Sequence, residues 1–269
     1  MRKAQDNVVE TVERRWPEQS ATAPYHVAPH TSAVSLPFPP AEEREPSRRG
    51  RSLLFMTMAV VTAQAWGLDE VYMFENGILS AALPMTPARM GSMSTRSTHP
   101  TLLMMFNALC ERVGLTPRIT NPFIYQTKSD LIRDVLRPAL APAEIEATVS
   151  CWSTGRAQRQ CGGCIPCLLR RIGMLHAGLP DGAYMTDPLT EPARYIGTDT
   201  YGNLVDLLRN AREMLEGSDS EILRARPGLL GLETAGISSA EMIRMFHRYA
   251  EQLKAVLDQH FPQVARLMR

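Results

Sequence analysis

Residues 151–167, CWSTGRAQRQCGGCIPC, form a dense cysteine array. The four cysteines are Cys151, Cys161, Cys164 and Cys167. Their spacing, Cys-x9-Cys-x2-Cys-x2-Cys, brings four thiolates within reach of one ion, and four such ligands close the tetrahedral coordination sphere of Zn2+. Gly162 and Gly163 suit the turn, because glycine tolerates the left-handed backbone that such knuckles need. The array therefore predicts a closed, structural zinc site.

Two other uses of four cysteines stay open at this point. A pair of disulfides would require an oxidising compartment and usually a short secreted chain. An iron–sulfur cluster also binds four cysteines, but the ferredoxin run continues with proline, whereas Leu168 follows Cys167 here. The fifth cysteine, Cys110, lies close to an apolar run at residues 102–106, and we expect it to be a small buried hydrophobe outside the site.

Length and composition indicate a globular protein. The chain has 269 residues, of which 44% are hydrophobic, enough for one large domain or a domain with an appendage. No apolar stretch approaches the roughly 20 residues that cross a bilayer, and no apolar leader begins the chain, so we expect a cytoplasmic protein without a membrane partner. The net charge of +1 offers no general field for nucleic acid.

Helix and strand patterns alternate in the first half of the chain. Helices are predicted at residues 5–15, 52–66, 101–113, 127–136, 168–177, 201–215 and 238–257, and strands at 25–28, 70–74 and 118–121. Residues 35–50, rich in proline and arginine, and residues 75–77 read as loops. The alternation favours parallel α/β layering. We expect an α/β domain at 1–150, a zinc knuckle at 151–180 and a helical C-terminal extension at 181–269.

Four segments together resemble one family. CGGCIPCLLRR with the upstream Cys151, RSLLFMTMA, the strand-end ENG and TKSDLIRDVL are similar to the 7-cyano-7-deazaguanine synthases and their relatives in antiviral operons. The resemblance runs from about Arg51 to Gly173. It implies the doubly wound parallel sheet of the ATP pyrophosphatase superfamily, the adenine nucleotide alpha-hydrolase-like fold. It also implies activation of a 7-carboxy-7-deazaguanine carboxylate by ATP and Mg2+ before attack by ammonia.

The resemblance assigns roles to three basic residues. Arg51 matches an arginine close to the nucleotide, although a surface arginine in a basic loop is as common a reading. Lys128 matches a lysine that reaches the ATP phosphates from a helix start, where donors and the helix dipole converge on anions; the alternative is a solvated first-turn lysine. Arg170 matches an arginine that the knuckle aims at a carboxylate or phosphate.

Polar residues at strand ends extend the candidate ligand site. Glu75 and Asn76 follow a predicted strand, and strand ends in α/β sheets are where ligands bind. Residues 91–100 replace the Gly-Tyr-Pro-Asp-Cys-Arg stretch of the synthases, and this hydroxyl-rich segment contains Arg96 and His99. The substrate is therefore expected to differ, unless the segment is only a flexible polar loop.

The phosphate loop of the family has no counterpart in the sequence. The Ser-Gly-Gly-x-Asp-Ser string, whose backbone N–H groups cradle pyrophosphate, does not occur. We expect an N-terminally truncated domain, as a fragment, a split-gene product or a degenerate paralogue. The expected partners are ATP, a deazaguanine-type small molecule, a protein acceptor or the missing N-terminal half, and a second copy in a homodimer.

Three functions fit these observations. The first is a synthase-like enzyme of an antiviral or base-modification pathway, with this chain supplying the substrate side. The second is a catalytically inactive zinc-containing binding module, or the C-terminal half of a split enzyme. The third is a nucleic-acid binder that uses the arginines at residues 44, 48, 49 and 51. Aromatic residues make up only 6% of the chain, which leaves little for base stacking.

Overall fold

The structure is a computed structural model that describes residues 2–18, 49–81, 97–151, 159–180 and 182–268. Most of these residues are helical, and one small parallel sheet lies among the helices. The main elements are α1 (Arg2–Arg15), α2 (Arg49–Ala65), β1 (Glu70–Tyr72), α3 (Gly77–Ser80), α4 (Pro100–Arg112), β2 (Arg118–Thr120), α5 (Lys128–Asp130, Leu131–Leu136 and Arg137–Ala139), α6 (Pro142–Glu146), α7 (Ile165–His176), α8 (Asp199–Glu216), α9 (Asp219–Ala225), α10 (Ser239–His260) and α11 (Pro262–Ala265).

The sheet pairs β1 with β2 in parallel, with Val71 opposite Ile119. Helices α2 and α4 pack on it through a small core that includes Met56, Val60 and Phe106. The side chain of Asn107 in α4 replaces a further strand on the outer side of β2. Its amide nitrogen donates to the carbonyl of Ile119 at 2.9 Å, and its oxygen accepts the N–H of Ile119 at 2.8 Å. The described residues therefore contain a two-stranded parallel sheet, whereas the sequence predicted a doubly wound one.

The C-terminal helices build the largest core. Helix α10 packs against both α7 and α8, and the buried apolar side chains form one continuous cluster. It includes Leu168 of α7, Leu204 of α8 and Leu253 of α10, all fully buried. Ile78 of α3 belongs to the same cluster, so the loop after β1 is anchored in the helical core.

Helix α5 begins with a capping box and contains a π-helical turn. The hydroxyl of Thr127 accepts the N–H of Asp130, and the carboxylate of Asp130 accepts the N–H of Thr127. Residues Leu131–Leu136 are π-helical, and an α-helical turn, Arg137–Ala139, follows. The sequence predicted an end at Leu136, because Pro138 cannot continue a helix. Pro138 instead lies in the first turn of the new α-helical segment, where a missing N–H is tolerated.

The structure confirms the predicted helices and two of the three predicted strands. The third, at 25–28, lies outside the described residues, as does the predicted loop at 35–50 except for residues 49 and 50, which begin α2. Gly77, predicted in a loop, begins α3 with Asn76 as its N-cap. The division into three domains stays a prediction. Within the described ranges, no helix has both the length and the apolarity needed to cross a membrane.

Candidate metal centre and ligand site

The four cysteines converge at the start of α7. Cys164 is the N-cap of α7 and Cys167 lies in its first turn. The two remaining cysteines, Cys151 and Cys161, come from the segment before it. The N–H of Cys161 donates to Sγ of Cys151 at 3.3 Å, and the N–H of Cys164 donates to Sγ of Cys161 at 3.4 Å. Backbone donors aimed at sulfur are what a thiolate cluster needs, because they disperse its negative charge.

The spacing of the sulfurs fits a single ion. The four Sγ atoms all lie within 4.8 Å of one another; Cys161 and Cys167 are 3.9 Å apart, and Cys151 and Cys164 4.0 Å. Four sulfurs bound tetrahedrally at about 2.3 Å from zinc would be about 3.8 Å apart. A disulfide would need about 2.05 Å, and none of the cysteines forms a disulfide bond. The four residues could therefore hold a metal ion, as the sequence predicted, and the fifth, Cys110, is buried elsewhere.

Burial makes the thiols of Cys161 and Cys167 poor anions on their own. It raises the pKa of the Cys161 thiol to about 11. Hydrogen bonding with Cys164 and burial raise the pKa of Cys167 as well. Metal ligation requires thiolates, so the positive charge of an ion is what would keep these sulfurs deprotonated.

A loop after α7 holds the knuckle in place. Thr186 donates its N–H and its hydroxyl to the carbonyl of Cys161, at 2.9 and 2.6 Å. Gly162 has a φ of 83°, and a Cβ there would lie 1.9 Å from the carbonyl oxygen of Thr186. A Cβ on Gly163 would lie 2.4 Å from Oγ1 of Thr200. Close packing therefore requires glycine at both positions, and at Gly162 the left-handed backbone requires it as well, whereas Gly163 does not have a positive φ.

Polar residues gather at the carboxyl ends of β1 and β2. Asn121, just after β2, donates its amide N–H to the carbonyl of Glu75 at 2.9 Å and to Oγ of Ser80 at 3.1 Å. The carboxylate of Glu75 accepts the N–H and the side-chain amide of Asn76 at 3.0 and 2.8 Å. Sequence analysis missed Asn121 as a site residue, although its position at a strand end is the same signal that identified Glu75.

Glu75 and Lys128 form an electrostatic pair in this cluster. Both side chains are partly buried. Burial raises the pKa of Glu75, although the charge of Lys128 opposes the shift. Burial also lowers the pKa of Lys128, with Glu75 opposing that shift and Arg170 adding to it. Opposed pKa shifts in a polar cluster at strand ends are typical of ligand sites.

The structure gives Arg170 buried hydrogen-bond partners. Its guanidinium donates to the carbonyls of Ile145 and Glu146, both at 3.0 Å, and to Oγ1 of Thr148 at 2.7 Å. Only 5% of the residue is exposed. The side chain therefore links α7 to the end of α6. Its positive charge also contributes to the lowered pKa of Lys128. Direct contact with a carboxylate or phosphate stays a prediction.

The remaining predicted site residues lie around the same edge or outside the described part. His99 is the N-cap residue of α4 and is partly buried. Thr98, its neighbour, accepts the hydroxyl of Ser80 at 2.6 Å, which connects this turn to the Asn121 cluster. The side chain of Arg51 and all of Arg96 lie outside the described residues. The structure thus brings together Glu75, Asn76, Lys128 and Arg170.

Comparison with known families agrees with this arrangement. The family model described as "Queuosine biosynthesis protein QueC" matches residues 42–178, slightly more than half of the chain. The chain belongs to the QueC family. This family implies an ATP pyrophosphatase-like α/β fold, and the match includes both strands, the four cysteines and every predicted ligand residue. Helices α8 to α11 lie beyond it.

Individual relatives carry the name 7-cyano-7-deazaguanine synthase. The one from Methanothrix thermoacetophila is 28% identical over 49% of this chain and 53% of its own length. The one from Nitrosococcus oceani is 23% identical over 60% of this chain and 64% of its own length. The one from an Anaeromyxobacter species is 31% identical over 49% of this chain and 52% of its own length. The QueC-family chain thus spans about half the length of most of these relatives. No solved structure matches it.

Proposed function

We propose that the chain is a 7-cyano-7-deazaguanine synthase-like protein. In this role it takes part in the ATP-dependent activation of a 7-carboxy-7-deazaguanine-type carboxylate for amide or nitrile formation. Membership of the QueC family and the name of the relatives support this function. The structural observation that supports this function most directly is the polar cluster of Glu75, Asn76 and Lys128 at the carboxyl ends of two parallel strands.

Each side chain has a proposed task. Lys128 begins α5, where its ammonium group and the free N–H groups of the helix start would attract a phosphate of ATP. Asn76 and the carboxylate of Glu75 would hydrogen-bond the base-like substrate, because amides and carboxylates match its donors and acceptors. ATP with Mg2+ supplies the activation of the carboxylate when bound. The sequence contains no Ser-Gly-Gly-x-Asp-Ser string. We therefore propose that the chain supplies the part of the active site that binds the deazaguanine substrate.

Zinc is the proposed ion of the four-cysteine site. Four sulfur ligands favour Zn2+ over the harder ions Mg2+ and Ca2+, and a closed sphere leaves the ion no direct part in the chemistry. Its role is to fix the start of α7, which carries Arg170 and packs against Lys128. The proposed pathway is antiviral defence or base modification in the cytoplasm.

Calorimetry with two ligands tests the proposal. Wild-type protein is titrated with 7-carboxy-7-deazaguanine and with a non-hydrolysable ATP analogue, and Lys128→Met is titrated in parallel. We expect both ligands to bind the wild type, and Lys128→Met to lose affinity for the nucleotide while keeping the deazaguanine. Lys254→Met is the control, because Lys254 lies on the exposed side of α10 and pairs with Asp258. No binding of either ligand to the zinc-loaded wild type would contradict the proposal.

The absence of the Ser-Gly-Gly-x-Asp-Ser string from the sequence favours a second function. A catalytically inactive binding module would keep the zinc knuckle and the polar cluster, but would not turn over ATP. Incubation with ATP, Mg2+, ammonia and 7-carboxy-7-deazaguanine separates the two functions. Pyrophosphate release together with an amide or nitrile product supports the enzyme. Binding of the deazaguanine without product formation supports the module.

A further inference from the structure

Helix α10 reaches the ligand site from outside the region that the QueC family covers. Met245, Arg248 and Gln252 recur at intervals of three and four residues and therefore share one face of the helix. Met245 packs against Gly77, directly after Asn76: a Cβ on Gly77 would lie 2.7 Å from Cε of Met245. The same face thus contacts the loop that carries Glu75 and Asn76.

The other two residues clamp the turn that carries Lys128. Gln252 donates to the Asp130 carboxylate at 2.8 Å and accepts the hydroxyl of Thr127 at 2.7 Å. Arg248 donates to the other oxygen of Asp130 at 2.9 Å and to the carbonyl of Tyr125 at 2.7 Å. Lys128 lies between Thr127 and Asp130 in the chain. Both residues of its capping box are therefore bound by α10.

Burial makes this clamp costly to break. Thr127 is fully buried, and Asp130 and Gln252 are 4% and 5% exposed. Burial alone would raise the pKa of Asp130, but the N–H of Thr127 and the side chains of Arg248 and Gln252 lower it. A buried carboxylate that loses such donors retains its desolvation cost. The turn would then shift to find water or new partners.

We propose that Arg248 and Gln252 are positioning residues for the ligand site: they fix the Thr127–Asp130 turn and thereby the ammonium group of Lys128. They lie in α10, beyond the family match that ends at residue 178. The proposal rests on the proposed function in taking Lys128 as a ligand contact. It gives the C-terminal helices a part in binding in addition to their part in the core.

The lysine content of the chain allows a direct test. The only lysines are Lys3, Lys128 and Lys254, so NMR of protein reductively methylated with 13C-formaldehyde resolves Lys128. Its pKa is measured in the wild type, in Gln252→Met, which keeps the side-chain length but removes both hydrogen bonds, and in Arg248→Lys, which keeps the charge and whose additional lysine signal is identified by its absence from the wild-type spectrum. Arg244→Ala is the matched control, because Arg244 is exposed on α10 and pairs with Glu241. Calorimetry with a non-hydrolysable ATP analogue accompanies each variant.

The two kinds of measurement separate the two proposals. We expect the pKa of Lys128, which burial lowers, to rise toward its ordinary value in Gln252→Met and by a smaller amount in Arg248→Lys, and nucleotide affinity to fall several-fold. Arg244→Ala should change neither. An unchanged pKa of Lys128 in folded Gln252→Met, or in Arg248→Lys if the first variant does not fold, would overturn the positioning role. A raised pKa in a protein whose wild type binds no nucleotide would support positioning and contradict the proposed function.

Discussion

Lys128 lies against Gly173, and the contact leaves no room for a side chain on residue 173. A Cβ there would be 3.0 Å from Cγ of Lys128 and 3.3 Å from its carbonyl carbon. Helices α5 and α7 approach this closely because glycine is the residue at the crossing. The four-cysteine site at the start of α7 and the proposed ligand site at the start of α5 therefore lie on two helices that pack directly against each other.

Replacing this glycine is expected to destabilise the protein. Gly173→Ala would crowd Lys128 and Ile132 in α5, and overpacking of this kind costs about 1–3 kcal/mol, partly offset by the roughly 0.5–1 kcal/mol that alanine gains over glycine in a helix. Gly202→Ala is the control, because Gly202 lies inside α8 with no atom within 4 Å of its added Cβ. That change should stabilise the protein by about 0.5–1 kcal/mol, since alanine favours helix over glycine. Urea unfolding measures both, and equal effects of one sign would refute the packing argument.

Loss of one cysteine ligand should release the ion. Cys164→Ser removes a thiolate from the site, and the binding free energy of a structural ion is also folding free energy. We expect a zinc content near zero and melting of the region from Cys151 to Ala177. Cys110→Ala should keep its zinc, because Cys110 is buried in the small core beside the sheet. Elemental analysis of wild-type protein that found iron, or no metal, would contradict the zinc assignment.

The charge of Glu75 is expected to support the protonated form of Lys128. Glu75 opposes the burial that lowers the pKa of Lys128. Glu75→Gln removes the negative charge with little change of shape, so the pKa of Lys128 should fall further. Glu70→Gln, at the opposite end of β1, should leave it unchanged. Lysine-selective NMR follows both variants, and an unchanged or higher pKa of Lys128 in Glu75→Gln would show that the charge of Glu75 does not act on Lys128.

Arg170 is expected to matter for stability. The contact with a carboxylate or phosphate that the resemblance implies for Arg170 predicts that Arg170→Ala weakens ligand binding. The buried bonds to Ile145, Glu146 and Thr148 indicate a cost of about 2–3 kcal/mol as well, because two carbonyls lose a charged donor. Arg212→Ala should cost less than about 1 kcal/mol, since Arg212 forms an exposed pair with Glu216. Equal costs in chemical unfolding would argue against the buried role.

Acid is expected to detach α1 from α6. Hydrogen bonds from Arg15, from the N–H of Ala141 and from Arg14 lower the pKa of Glu144 to about 2. A carboxylate with a lowered pKa stabilises the folded state above its ordinary pKa of 4.5. That stabilisation is lost as the pH falls from about 4.5 to about 2.

Hydrogen exchange of the α1 amides measures this detachment. Faster exchange should appear within that pH range, and Glu144→Gln should reproduce it at neutral pH. Glu146→Gln, at the end of the same helix, is the control. Slow exchange of α1 in Glu144→Gln would show that other contacts hold it.

Local sequence patterns predicted the helices and strands better than they predicted the contacts between residues that are distant in the chain. The capping box of Thr127 and Asp130 and the four-cysteine site can be recognised in the sequence, because the spacing of their residues determines their geometry. The contacts that Arg248 and Gln252 make with this capping box could not be predicted from the sequence. Both residues are about 120 residues away in the chain and belong to an ordinary amphipathic helix. The structure describes two parallel strands, and the alternation of helix and strand in the sequence did not reveal that Asn107 occupies the outer edge of β2 at Ile119.

The π-helical turn at Leu131–Leu136 determines how far the side chains after it are rotated about the axis of α5 relative to those before it. A π turn holds one residue more than an α turn. If the same residues formed a regular α-helix instead, everything after them would be rotated by about 100° about the helix axis relative to Lys128. Arg137, which donates to the carbonyl of Ala177 at 2.6 Å, would then face another direction. A variant in which this segment became a regular α-helix would keep the position of Lys128 and lose the contact with the C-terminal end of α7.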